Sequence, residues 1–176
     1  RGEEGLNSIT QKGSKGYGSE NVIAYELGYR IKPSRTSLID IASFYNDYSR
    51  LRTFNFTDSS TVATATNDGE GKSYGAEITV KWQAMDNWRL EGGYDFLKLD
   101  VANKKVSTER PAANLSYTEG QSPKNQFRLR SNYNLNPKIE FDNIVYYVDS
   151  LPGSRLLNDQ TGIDSYIRLD TRIGYL

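Results

Sequence analysis

Glu91 and Asp95 lie in the stretch WRLEGGYDF at 88–96, whose alternation reads as a strand. Residues four apart on a strand share a face at about 13 Å, wider than the usual carboxylate pair of a glycosidase. The pair therefore has no acid–base task along its own strand. A second candidate is TNDGEG at 66–71, where Asp68 and Glu70 stand in what reads as a glycine-rich turn. Their oxygens suit calcium, but the spacing is not that of a calcium loop, and a solvated turn is the simpler expectation. The chain contains neither histidine nor cysteine. Imidazole, the commonest general base and transition-metal ligand, is missing, as are thiol nucleophiles, thiolate sites and disulfides. No enzyme, cofactor or metal site is expected, and the redox compartment stays undecided.

With 22 basic and 22 acidic residues the chain is formally neutral, which gives nucleic acid no electrostatic hold. Tyrosine is abundant, 13 of 176 residues, although only 36% of the chain is hydrophobic and the mean hydropathy is -0.68. Aromatic yet polar composition suits strands with one dry face. No apolar run approaches the roughly 20 residues of a membrane helix, but a membrane strand is oily only at alternate positions and keeps a low average hydropathy.

Period-two alternation predicts strands near 21–32, 36–54, 73–84, 87–100, 124–135, 138–150 and 165–176. In the first, Ile23, Tyr25, Leu27, Tyr29 and Ile31 oppose Ala24, Glu26, Gly28 and Arg30; in the last, Ile167, Leu169, Thr171, Ile173 and Tyr175 oppose Arg168, Asp170, Arg172 and Gly174. The second and sixth are less regular, with Ser43 and Asn143 on the apolar face and Phe44 on the polar one. KPSR at 32–35, AMDN at 84–87 and NPK at 136–138 read as tight turns. The stretches 55–72, 101–123 and 151–164, rich in Ser, Thr, Asn and Gly, read as long loops.

Short and long connections alternate, which places every tight turn at one end of an up-and-down sheet. Outer-membrane barrels have this asymmetry, with short periplasmic turns and long outer loops. The expected strands also approach the 9 to 11 residues of a membrane strand rather than the usual 5 to 6. Trp82 and Trp88 flank the turn at 84–87, where a membrane-interface aromatic belt sits. A soluble β-sandwich has the same alternation; loop asymmetry, strand length and the tryptophan pair favour the membrane. In that case Glu26, Arg30, Asp40, Glu77, Lys81, Arg89, Glu91, Asp95, Arg128, Arg130, Arg168, Asp170 and Arg172 line a wet or plugged lumen.

SENVIAYELGYRIKP at 19–33, TSLIDIASFYNDYSRLRTF at 36–54, YGAEITVKWQAMDNWRLEGGYDFL at 74–97, SPKNQFRLRSNYNL at 122–135 and SYIRLDTRIGY at 165–175 resemble, in order, barrel phrases of the TonB-dependent outer-membrane receptors. The resemblance implies an all-β, antiparallel, up-and-down transmembrane barrel of about 22 strands. Residues 1–176 would form a single segment of about seven strands from its C-terminal side, without the plug domain or the terminal strands. The implied function is binding of a scarce nutrient, most of all a ferric siderophore, and its import across the bacterial outer membrane with energy from the TonB complex. The alternatives are a passive porin-like or structural barrel and a soluble β-sandwich binding module. The implied partners are the lipid bilayer, the plug, the missing strands, TonB and a small-molecule metal chelate. Lys104, Lys105, Arg110, Tyr117 and Arg155 in the long loops become candidate ligand contacts. Arg128, Arg130, Arg168 and Arg172 become candidates for holding the plug through charge pairs.

Overall fold

The computed structural model describes residues 10–56, 62–103, 120–152 and 162–175. Its elements are β1 (Thr10–Lys12), β2 (Asn21–Ser34), β3 (Ser37–Phe56), β4 (Val62–Met85), β5 (Trp88–Asn103), β6 (Asn125–Asn136), β7 (Ile139–Val148) and β8 (Tyr166–Tyr175). They form one sheet in the order β2-β3-β4-β5-β6-β7-β8, each strand antiparallel to its sequence neighbour. β1 is the exception. It pairs parallel with the start of β4, Thr10 opposite Val62 and Lys12 opposite Thr64.

A sandwich would bury one face between two sheets, and no second sheet is present among the described residues. Ala63 and Val101 are the buried hydrophobics there, whereas Leu27, Ile167 and Ile173 are more than 70% exposed. The chain builds a wall rather than a core.

The tight turns lie together along one rim and are fixed by side chains. At 137–138 the Asn136 carboxamide oxygen accepts from the backbone of Lys138 at 2.9 Å and of Ile139 at 3.1 Å, an Asx turn. Asn87 binds the Asn134 backbone in both directions, its carboxamide donating at 2.8 Å and its carbonyl accepting at 2.8 Å, which ties adjacent hairpins together. Pro33 is not in the first turn, as KPSR suggested. It lies inside β2 at the register shift between Ile31 and Ser34, where a residue without an N–H is tolerated, and the turn follows at 35–36.

The opposite rim departs most from expectation. Of the loop predicted at 55–72, residues 62–72 belong to β4, a strand of 24 residues, and its partner β3 has 20. The β3–β4 hairpin therefore continues past its neighbours, since β7 and β8 have 10 residues each. Polar cross-strand bonds hold the extension: Thr53 to Thr66 at 2.7 Å between hydroxyls and Asn55 to Asp68 at 3.2 Å. A β-bulge interrupts β3 between Ser49 and Leu51, with Arg50 at φ 58°. There the stretch leading to β2 crosses the hairpin. The Asn67 carboxamide donates to the carbonyls of Gly18 at 3.1 Å and Arg50 at 2.7 Å, and accepts from the Gly18 N–H at 2.6 Å. The Ser14 hydroxyl donates to the Ala65 carbonyl at 2.9 Å. TNDGEG is thus strand rather than turn, and no group of three potential metal ligands forms among the described residues.

Candidate functional site on the polar face of the wall

Register sorts the side chains into two faces. On the apolar face Tyr29, Ile41, Ile78, Tyr94, Phe127, Tyr147 and Ile167 form one continuous cross-strand row. Aromatic residues mark both margins of this face. Near the turns, Trp82 pairs with Leu90, and Trp88 meets Tyr133 edge-on with ring centroids 6.2 Å apart. Toward the other margin, Tyr25, Tyr45 and Tyr74 share a row, and the Lys98 ammonium lies 5.7 Å from the Tyr74 ring. One step further the row is Asp47, Lys72 and Asp100. From Tyr74 to Trp82 is about 27 Å along the strand, or about 20 Å across a membrane at the usual tilt, comparable to the apolar band of an outer-membrane barrel.

Beyond β7 the upper margin ends in a hydrogen-bonded group. The Asp149 carboxylate accepts from the Asn125 carboxamide at 2.8 Å and the Tyr147 hydroxyl at 3.3 Å, while the Tyr94 hydroxyl donates to Asn125 at 2.8 Å. These donors, Asn125 first, hold the Asp149 carboxyl below its ordinary pKa.

The polar face carries ion pairs set by the same register. Arg30 is cross-strand to Asp40 and pairs with it through Nε. Glu91 pairs with Arg128 at 3.3 Å. Arg172 reaches both Glu140 and Asp142 at 2.9 Å, and Asn132 donates to Asp142 at 2.6 Å. Arg168 pairs with Asp170 at 2.8 Å and lies 4.6 Å from the centre of the Tyr146 ring. Between these pairs Gly28, Ala42 and Thr79 form a low floor, and a recess of about 650 Å³ opens over it, walled by Arg30, Asp40, Glu77, Lys81, Glu91 and Arg128.

The sequence reading placed Glu26, Arg30, Glu77, Lys81, Arg89, Glu91, Arg128, Arg130, Arg168, Asp170 and Arg172 on one face, and the register gives them that common phase. It also brings Glu77 directly opposite Asp95. Arg168 and Arg172, expected to hold the plug through charge pairs, also pair with carboxylates of the wall itself. Sequence reasoning missed those of Glu140 and Asp142, although they alternate in the same phase as Ile144 and Tyr146; Asn143 on the apolar face obscured the pattern. Phe44 does lie on the polar face, and the reason is Gly75. The Phe44 ring covers the glycine so closely that an added Cβ would stand 2.7 Å from the ring and 2.2 Å from the Phe96 carbonyl oxygen. Lys104, Lys105, Arg110, Tyr117 and Arg155 lie outside the described residues.

A family model described as TonB dependent receptor-like, β-barrel, matches residues 6–176. The chain belongs to this family. These barrels are outer-membrane proteins of Gram-negative bacteria, receptors and transporters rather than enzymes. Among solved structures, the chain resembles the FrpB iron transporter from Neisseria meningitidis (F3-3 variant), with TM-score 0.74 and 16% identity over 94% of this chain and 26% of that one. The siderophore receptor PiuA from Acinetobacter baumannii gives 0.66 and 19% identity, over 88% and 22%. The ferric yersiniabactin uptake receptor FyuA from Yersinia pestis gives 0.62 and 17%, over 89% and 22%. The chain thus spans about a quarter of the length of these structures. For a TonB-dependent receptor barrel, the apolar face meets hydrocarbon and the margins of Trp and Tyr lie at the two interfaces.

Proposed function

We propose that the chain is one segment of the barrel wall of a receptor that binds a metal chelate, most of all a ferric siderophore, and imports it with energy from TonB. The family match over residues 6–176 carries this reading, and neighbours named as iron, siderophore and ferric yersiniabactin receptors support the substrate class. The face with the ion pairs lines the lumen. Its charges include pairs closed within the wall, such as Arg172 with Glu140 and Asp142, and the adjacent carboxylates Glu77 and Asp95. Like charges directly opposite one another repel, so this pair suits a basic group of the plug. The closed pairs position the wall and leave its recess wet. Lys104, Lys105, Arg110, Tyr117 and Arg155 are the proposed contacts for the anionic chelate.

Uptake of a radiolabelled ferric chelate, in cells whose only receptor for it carries this chain, tests the proposal. Uptake should disappear both without the receptor and without TonB. Flux that persists without TonB would assign a passive barrel instead.

A further inference from the structure

On the apolar face the Ser43 hydroxyl of β3 is closed onto the Leu27 carbonyl at 3.5 Å. A polar cross-strand row, Ser131, Asn143 and Thr171, crosses the same face on β6, β7 and β8. Two bonds are closed within it: the Trp88 indole N–H donates to the Ser131 hydroxyl at 2.9 Å, and the Thr171 hydroxyl donates to the Asn143 carboxamide oxygen at 2.9 Å. The Asn143 amide nitrogen has no acceptor among the described residues. A primary amide carries two N–H donors, and acyl chains offer none of the partners that a polar group in hydrocarbon needs.

Depth identifies what can accept. Asn143 is two residues inward from Phe141, and Phe141 is cross-strand to the margin residue Tyr133. Two residues are about 7 Å of strand, or about 5 Å of depth at barrel tilt. This is just inside the aromatic margin, where the glycerol esters of the periplasmic leaflet lie; headgroup phosphates are outside it and free chain is deeper. An ester carbonyl accepts and does not donate, which matches the unpartnered N–H groups. Room for the attached chain lies in the next row, where Gly92 has no heavy atom within 4 Å of where a Cβ would stand.

We propose that Asn143, steadied by Thr171, holds the ester carbonyl of one periplasmic-leaflet phospholipid, with an acyl chain in the notch at Gly92. The site goes beyond the import reading and does not depend on it; it requires only that the apolar face meet lipid.

Native mass spectrometry of the purified receptor after graded delipidation tests this, with diester and diether phosphatidylethanolamine supplied in parallel. The wild type should keep one diester lipid under conditions that strip the diether analogue, and Asn143→Leu and Thr171→Val should each lose that preference. Equal retention of the two lipids by the wild type would overturn the site without relying on any variant. So would an Asn143→Leu receptor that changes from dimer to monomer, because the face would then belong to a second copy.

Discussion

β7–β8 and β3–β4 are built from the same alternation but depend on different surroundings. The β7 and β8 strands, 10 residues each, scarcely outrun the apolar band, and their outward side chains are mostly aliphatic or aromatic. The β3–β4 hairpin crosses the same band and continues. Past Tyr45 and Tyr74 its cohesion comes from Thr53 with Thr66, Asn55 with Asp68, and the Asn67 bonds to Gly18 and Arg50. The bilayer organises the first pair by accepting one face of it. The extension lies beyond the band, with Thr53 and Ala63 buried within it, and is held by polar contacts of its own.

The largest effect is expected within the band of β4 itself. Gly75→Leu forces a side chain into the Phe44 ring, which can turn aside, and into the Phe96 carbonyl oxygen, a backbone atom that cannot yield without breaking the β4–β5 ladder. Assembly of the heat-modifiable barrel should fall to near zero, measured by gel mobility of unheated outer membranes. Next comes an arginine placed on either side of the boundary. Leu169→Arg faces hydrocarbon and should cost about 2–4 kcal/mol, whereas Thr64→Arg, in the extension, should change stability by less than about 0.5 kcal/mol. Reversible urea unfolding in lipid vesicles distinguishes them, and equal costs would erase the contrast.

The smallest effect is a pH dependence at the boundary. The Asp149 carboxyl, outside the strands, has its pKa lowered by the Asn125 and Tyr147 donors and the Ser150 N–H. A lowered folded pKa adds stability that is present above the unfolded carboxyl value, near 3.8, and is lost as pH falls through the folded value. Asp149→Asn should therefore be slightly less stable than wild type at neutral pH and converge on it in acid. A gap unchanged by acid would show that Asp149 acts only through packing.

The same boundary governs how much was legible in the sequence. Inside the band one face is dry, so alternation is enforced, and the strands containing Ile23 to Ile31 and Ile167 to Tyr175 were readable residue by residue. The extension lies outside the band, where no lipid enforces one dry face, and residues such as Thr64, Thr66 and Asn67 show no period, so a strand looked like a loop. β1 has three residues and depends on β4 for its pairing, which no local pattern announces. On the polar face, phase was legible but partnership was not: that Arg172 would find Glu140 and Asp142 follows from the β7–β8 register, and register depends on long-range pairing.

The central claim is that alternate side chains of each strand meet hydrocarbon and a hydrated interior. The chain has no cysteine of its own, so single spin labels placed successively from position 166 to 175 in the receptor report the two environments directly. Collisions with oxygen, which partitions into lipid, should peak at 167, 169, 171 and 173, and collisions with a water-soluble nickel chelate should peak at 168, 170 and 172. Loss of the two-residue period, or its reversal, would contradict the account.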